Sequence, residues 1–137
     1  MCISDSSEST NFNPGLYLIF EKKFEVLPKK RTFRSFIQAG WMPSGYNETN
    51  FYLGCGLLLD APFSGRSADV LGISFGHTVF SKESKGFSEN FETVFELNYN
   101  FQMNNNIQLK PCVQHILNPG GNGLSDATVG LIRFQLE

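Results

Sequence analysis

The sequence predicts an all-β chain, an antiparallel up-and-down meander of about seven strands. Three observations carry that prediction. Residues 91–103 read FETVFELNYNFQM, with Phe91, Thr93, Phe95, Leu97, Tyr99, Phe101 and Met103 on one face and Glu92, Val94, Glu96, Asn98, Asn100 and Gln102 on the other. A period of two sustained that long marks a strand with one apolar and one wet side, well beyond the about five or six residues usual in soluble domains. Gly, Pro, Asn and Ser punctuate the chain between runs of similar length, and no run carries a helical stripe.

The strands are expected at 15–25, 31–42, 50–59, 68–80, 92–103, 107–117 and 127–136. In the second, Phe33, Ile37, Ala39 and Trp41 oppose Thr32, Arg34, Gln38 and Gly40. The third, FYLGCGLLL, is ambiguous, and its glycines are places where a strand can bend. In the fourth, Leu71, Ile73, Phe75, His77 and Val79 alternate with Gly72, Ser74, Gly76 and Thr78. The sixth sets Ile107, Leu109, Val113 and Leu117 against Gln108, Lys110, Gln114 and Asn118. The seventh sets Ile132, Phe134 and Leu136 against Arg133 and Gln135, with Val129 and Leu131 blurring its start. Asn104, Asn105 and Asn106 predict a tight hairpin in which Asn adopts a positive φ. Residues 43–49, 81–90 and 118–126 are the longer loops, and the turns near Pro28 and at Ser64-Gly65-Arg66 lie at the opposite end. Residues 1–12 are expected to be a disordered or non-native segment, and 13–137 the β domain.

Composition narrows the function classes. Charged residues make up 18%, below the roughly 25% of soluble domains. A net charge of −2 provides no field for nucleic acid. The cluster of Lys29, Lys30, Arg31 and Arg34 is short enough to be a solvated turn. Cys2, Cys55 and Cys112 show no metal-ligand spacing. No GxSxG, HExxH or phosphate-loop motif occurs. Glu92 and Glu96 lie about 13 Å apart along one strand face, too far for a glycosidase pair. Ser74 and His77 point to opposite faces. An enzyme is not expected, nor a cofactor or a metal.

No run of apolar residues is long enough for a transmembrane helix. Strands of about ten residues or more do match a tilted crossing of the hydrocarbon layer. The polar faces carry amides, glycines and charges of both signs, which suits a watery lumen better than a Lys/Glu-coated exterior. Aromatic residues near strand ends, Trp41, Tyr99 and Phe101, suit interfacial girdles. In lipid a spanning sheet must close, so seven strands are expected to be one portion of a larger barrel. A soluble antiparallel β-sandwich binding module explains the alternation too. A non-transporting structural barrel of the outer membrane is a further alternative.

Collinear motifs then point to a family. GLYLIFE at 15–21, FYLGCGLL at 51–58, the Gly65-Arg66 turn, DVLGISFG at 69–76, ETVFEL at 92–97, LKPCVQHILNPGG at 109–121 and VGLIRF at 129–134 together resemble the C-terminal portion of the carbohydrate-selective porin family, OprB type. The NPGG stretch is the most specific of them. The resemblance implies a sixteen-stranded barrel in the bacterial outer membrane that passes small sugars by passive diffusion. Its implied partners are small sugars, outer-membrane lipid and the missing N-terminal strands of the same barrel, with no nucleic acid; no oligomeric state is implied. Cys112, His77, His115 and the terminal Glu137 depart from the family pattern, and a gene fragment, a truncation or a decayed relative is the expected origin. The lumen-facing candidates are Arg34, Gln38, Glu92, Glu96, Asn98, Asn100, Lys110, Gln114 and Arg133. The lipid-facing candidates are Phe75, Phe95, Leu97, Tyr99, Phe101, Val113 and Phe134.

Overall fold

The strands form in sequence order as one sheet. The computed structural model describes residues 13–26, 31–43, 45, 47–81 and 90–136. They contain β1 (Leu16–Val26), β2 (Arg31–Trp41), β3 (Thr49–Asp60), β4 (Val70–Phe80), β5 (Phe91–Asn104), β6 (Ile107–Leu117) and β7 (Ala127–Leu136), with a 3-10 turn at Pro119–Gly121 before β7. The sheet order is β1-β2-β3-β4-β5-β6-β7, each strand antiparallel to the next. Residues 1–12, the turn near Pro28 and most of 81–90 lie outside the described residues.

Register turns the alternation of single strands into two continuous faces. One cross-strand row runs Phe20, Ile37, Cys55, Phe75, Phe95, His115, Thr128; the next runs Lys22, Ser35, Leu57, Ile73, Leu97, Val113, Gly130. This face is mostly apolar, with Lys22, Ser35, His115 and Thr128 as the polar members of these rows. Its two histidines each meet a cross-strand threonine: His77 Nδ1 lies 2.8 Å from Thr93 Oγ1 and His115 Nδ1 2.9 Å from Thr128 Oγ1. Each Nδ1 thereby has a partner, and the His77 ring packs against Phe75 and Phe91 while His115 stands opposite Phe95.

Among the described residues no hydrophobic side chain is buried, and Ile37, Phe95 and Leu97 remain 52%, 47% and 51% exposed. A water-soluble sandwich needs a second sheet over its apolar side; here the described residues make one layer, and that side lies open.

Two details differ from the sequence reading. Strand β4 starts at Val70 instead of residue 68, because Asp69 is drawn into the turn before it. Ala61 N–H donates to the Asp69 carbonyl and Asp69 N–H to the Arg66 carbonyl, with Ala61 at φ 52° and Gly65 at φ 82°. The β5–β6 hairpin forms where expected but without a positive φ at any of its asparagines. Asn104 Oδ1 accepts the Asn106 N–H at 2.9 Å instead, a side-chain mimic of a backbone turn. The left-handed asparagine is Asn118, at φ 50°, opening the NPGG segment.

Candidate functional site

The polar face is built from the alternate residues of all seven strands. Arg34 and Gln38 on β2, Glu92, Glu96, Asn98 and Asn100 on β5, Lys110 and Gln114 on β6 and Arg133 on β7 all lie on it. The opposite face holds Phe75, Phe95, Leu97, Tyr99, Phe101, Val113 and Phe134. The two candidate sets thus occupy opposite faces of the sheet.

At the end of the sheet where β1 begins, Tyr17 O–H donates to Gln38 Oε1 at 3.2 Å and Gln38 Nε2 donates to the Tyr52 hydroxyl at 3.0 Å. This chain crosses β1, β2 and β3. Gly54 makes it possible: a Cβ there would sit 2.6 Å from the Tyr52 hydroxyl and 2.9 Å from Gln38 Nε2. One step further along, the Phe36 ring covers Gly56. Beside these side chains lies a concavity of about 230 Å³ whose lining includes Phe36, Gln38, Tyr52, Ser74, Glu92 and Glu96. Aromatic surface next to an amide, a hydroxyl and two carboxylates can hold a neutral polyol, replacing its water with hydrogen bonds and its C–H faces with rings.

The carboxylates are held in place. Glu96 accepts from Asn98 Nδ2 through one oxygen and from Gln114 Nε2 through the other, both at 2.7 Å. Glu92 Oε2 accepts the Gly120 N–H at 2.6 Å, which ties the 3-10 turn of the β6–β7 loop to the wall. Toward the other end, Arg34 pairs with Asp60 at 2.7 Å, Asn100 Nδ2 donates to Gln108 Oε1 at 3.3 Å, and Lys110 stands opposite Arg133. Asn100 Oδ1 is buried with no hydrogen-bond partner among the described residues.

A larger furrow, about 660 Å³, crosses the apolar face between Phe20, Ile37, Leu57, Phe75, Phe95 and Val113. Its walls offer almost nothing to a polar solute. Size therefore does not identify the site; the smaller concavity on the polar face carries the relevant chemistry. Among the described residues no group of His, Cys, Asp or Glu could hold a metal ion.

Outside the strands, Arg66 organises the β3–β4 turn against β5. Its Nε and a terminal nitrogen donate to the Asp69 carboxylate at 2.7 and 3.0 Å, and the same terminal nitrogen reaches the Gln102 carbonyl at 3.1 Å. The guanidinium lies 3.7 Å from the centre of the Phe101 ring. Asp69, only 1% exposed, also accepts the Tyr99 hydroxyl and, at 3.0 Å, the Gln102 N–H. Burial pushes its carboxyl upward, but the hydrogen bonds from Arg66, Tyr99 and Gln102 outweigh that and hold it below its ordinary value. The turn thereby meets β5 backbone groups where β4 has already ended.

The family model for carbohydrate-selective porins, OprB family, matches residues 3–137. The chain belongs to that family. A solved structure of Pseudomonas putida OprB at high pH superposes with a TM-score of 0.81 at 18% identity, covering 90% of this chain and 35% of that one. The OprB fold is therefore shared, and the chain spans about a third of that porin's length. No curated protein matches the chain. The family is one of channels.

Sequence reasoning missed Tyr17, Phe36, Tyr52 and Asp60 as polar-face residues of the OprB strands. Tyr17 and Tyr52 were visible as period-two partners of Gln38 only once the register was known. Phe36 carries no signal at all, since an aromatic side chain on the wet face breaks the alternation.

Proposed function

We propose that these strands form one part of an outer-membrane porin through which small sugars diffuse passively. The observation that supports it best is the complete segregation of the two candidate sets onto opposite faces of a single uncovered sheet. The apolar face meets acyl chains, and the polar face lines water. Phe36, Gln38, Tyr52, Ser74, Glu92 and Glu96 offer passing sugars contacts weak enough to release them. The work is diffusion and not catalysis. The bacterial outer membrane is its place, with the short β5–β6 turn on the periplasmic side and the β2–β3 and β6–β7 loops outside.

Completion of the wall follows from strand direction. With seven strands in a meander, β1 and β7 run the same way. Two copies of this sheet in one orientation would meet along parallel edges, whereas an odd number of added strands, about nine for a sixteen-stranded barrel, closes an all-antiparallel wall. The partner that closes the barrel is the remaining strands of the same porin.

Two free thiols supply the test. Cys112 lies on the polar face and Cys55 on the apolar face, both half-buried. In the closed barrel, with Cys2 replaced by Ser, a bulky water-soluble thiosulfonate should modify Cys112 and slow liposome swelling in glucose. Cys55 should stay unmodified. Modification of Cys55 in preference to Cys112, or swelling unchanged after Cys112 is blocked, overturns the reading.

A further inference from the structure

Glycine inside a strand weakens it, and its usual reasons are a bulge, a bend or the close approach of another group. Gly54, Gly56, Gly72 and Gly76 all lie on the polar face of β3 and β4. Three of them are covered by the protein itself. A Cβ would stand 2.6 Å from the Tyr52 hydroxyl at Gly54, 2.5 Å from the Phe36 ring at Gly56 and 2.7 Å from the Asn98 amide at Gly72. Gly76 differs. A Cβ there would meet only Tyr52, its hydroxyl at 3.6 Å and its ring at 3.8 Å, which is ordinary contact. Its φ is not positive, and the ladder through Gly54, Gly76 and Val94 runs without a bulge. No group among the described residues comes close enough to require a glycine at this position.

Gly76 lies in the lining of the 230 Å³ concavity on the polar face. The carboxylates at its rim are already held, Glu92 by the Gly120 N–H and Glu96 by Asn98 and Gln114. Three hydroxyls are left over. Ser74 and Thr78 flank Gly76 along β4, both half-buried and without a hydrogen-bond partner among the described residues. Tyr52 accepts from Gln38, and its own proton goes to no described residue. Ser74 and Thr78 are four residues apart, about 13 Å between Cα atoms. Their hydroxyls therefore bracket the open space over Gly76, with the Tyr52 hydroxyl beside it.

We propose that Gly76 is the specificity-determining residue of this wall, and that its missing side chain seats one neutral hexose. The proposal rests on the pore reading above and gives that reading a place where the sugar stops. The hydroxyls of Ser74, Thr78 and Tyr52 each donate and accept, so they match sugar hydroxyls in either sense. The Phe36 ring, in the same lining, lies beside the sugar's C–H face. Neutral hydrogen bonds exchanged against water hold the solute weakly, as a step in a diffusion path requires. The seat is kept at the expense of strand stability, because any side chain at position 76 would strengthen β4 and fill it.

The experiment uses the closed barrel in a planar bilayer, with glucose added while the current carried by KCl is recorded, and unfolding midpoints measured on the same variants. Glucose should reduce the current saturably. Gly76→Ala should leave the unfolding midpoint equal or higher, yet weaken the glucose effect about tenfold, or about 1.4 kcal/mol. Its conductance in KCl alone should fall far less than that. Ser74→Ala and Thr78→Val, which remove one hydroxyl each, should each weaken the glucose effect about fivefold, the worth of one neutral hydrogen bond. A lower midpoint for Gly76→Ala would show that the fold itself needs this glycine, and overturns the proposal. So does an unchanged glucose effect in Gly76→Ala, or losses of glucose effect and KCl conductance in equal proportion, which would be plain narrowing. The thiol reaction of Cys112 separates the two readings. If a water-soluble reagent never reaches it, the pore reading falls and this one with it; if it reacts while Gly76→Ala responds to glucose like the parent, only the seat is lost.

Discussion

The ring of Phe36 lies across Gly56 so closely that a methyl group at position 56 would sit 2.5 Å from Phe36 Cε1 and 3.1 Å from the Ile73 carbonyl oxygen. Phe36 is thus an apolar plate laid flat on the wet face, and the missing side chain at 56 is what lets it lie down. Gly56→Ala must push the ring off the wall, because the carbonyl behind it belongs to the sheet and cannot retreat. The expected cost is about 1–3 kcal/mol of stability, read as a lower unfolding midpoint in detergent. Gly130→Ala is the control. Nothing lies within 4 Å of a Cβ there, so its midpoint should stay within about 0.5 kcal/mol of the parent.

The Asp69 network predicts an acid-sensitive turn. Its folded-state carboxyl is held below the ordinary value of 3.8, so the proton binds the unfolded chain more readily than the folded one. The stabilisation is fully present above that ordinary value and is lost as pH falls through the lowered one. Asp69→Asn removes the charge while the Arg66, Tyr99 and Gln102 donors remain around a buried position, and should cost about 1–3 kcal/mol at neutral pH. The parent and the variant should converge in midpoint as the pH is taken below 3.8. A gap between them that stays constant to acid would show that Asp69 is not held as a carboxylate.

On the apolar face, His77 and Thr93 satisfy each other at 2.8 Å, and Thr93 is 7% exposed. Removing one partner strands the other in an apolar setting. His77→Leu and Thr93→Val should therefore each destabilise by about 1–3 kcal/mol. The double variant should recover most of that loss, because it leaves no polar atom unpaired. A coupling of about 0.5 kcal/mol or more between the two sites is expected. Strict additivity in the double-mutant cycle would show that the contact carries no energy.

All seven strands were legible because hydrophobic alternation is a local property, and in β5 thirteen residues depart from it only at Thr93 and Val94. What failed was non-local. Asp69 looked like part of β4 until the turn claimed its backbone and its carboxylate. The three asparagines after Met103 looked like a positive-φ turn, but a side-chain oxygen of Asn104 closed the hairpin without one. The two faces of strand β3 were ambiguous because Gly54 and Gly56 have no side chains to declare one, and they are the residues that make room for Tyr52, Gln38 and Phe36. The candidate polar residues were chosen from alternation alone; which of them meet required the cross-strand register.

Glu92 ties a loop to the wall, and that tie can be cut without touching the fold. Its Oε2 accepts the Gly120 N–H at 2.6 Å from a segment that already uses left-handed conformations at Asn118, Gly120, Gly121 and Gly123. That conformational freedom costs entropy when the loop is ordered, and a charged acceptor offsets it better than a neutral one. Glu92→Gln keeps the shape and removes the charge. Hydrogen exchange at the Gly120 amide should speed up by about tenfold, corresponding to about 1.4 kcal/mol, while amides in the middle of β5 and β6 keep their protection. Asn118 N–H remains held by Asp126 at 3.2 Å in either form, so the change should stop at the 3-10 turn. Exchange at Gly120 that is unaltered in the variant would mean that the loop is positioned by its own turns and that Glu92 stands free to meet solute.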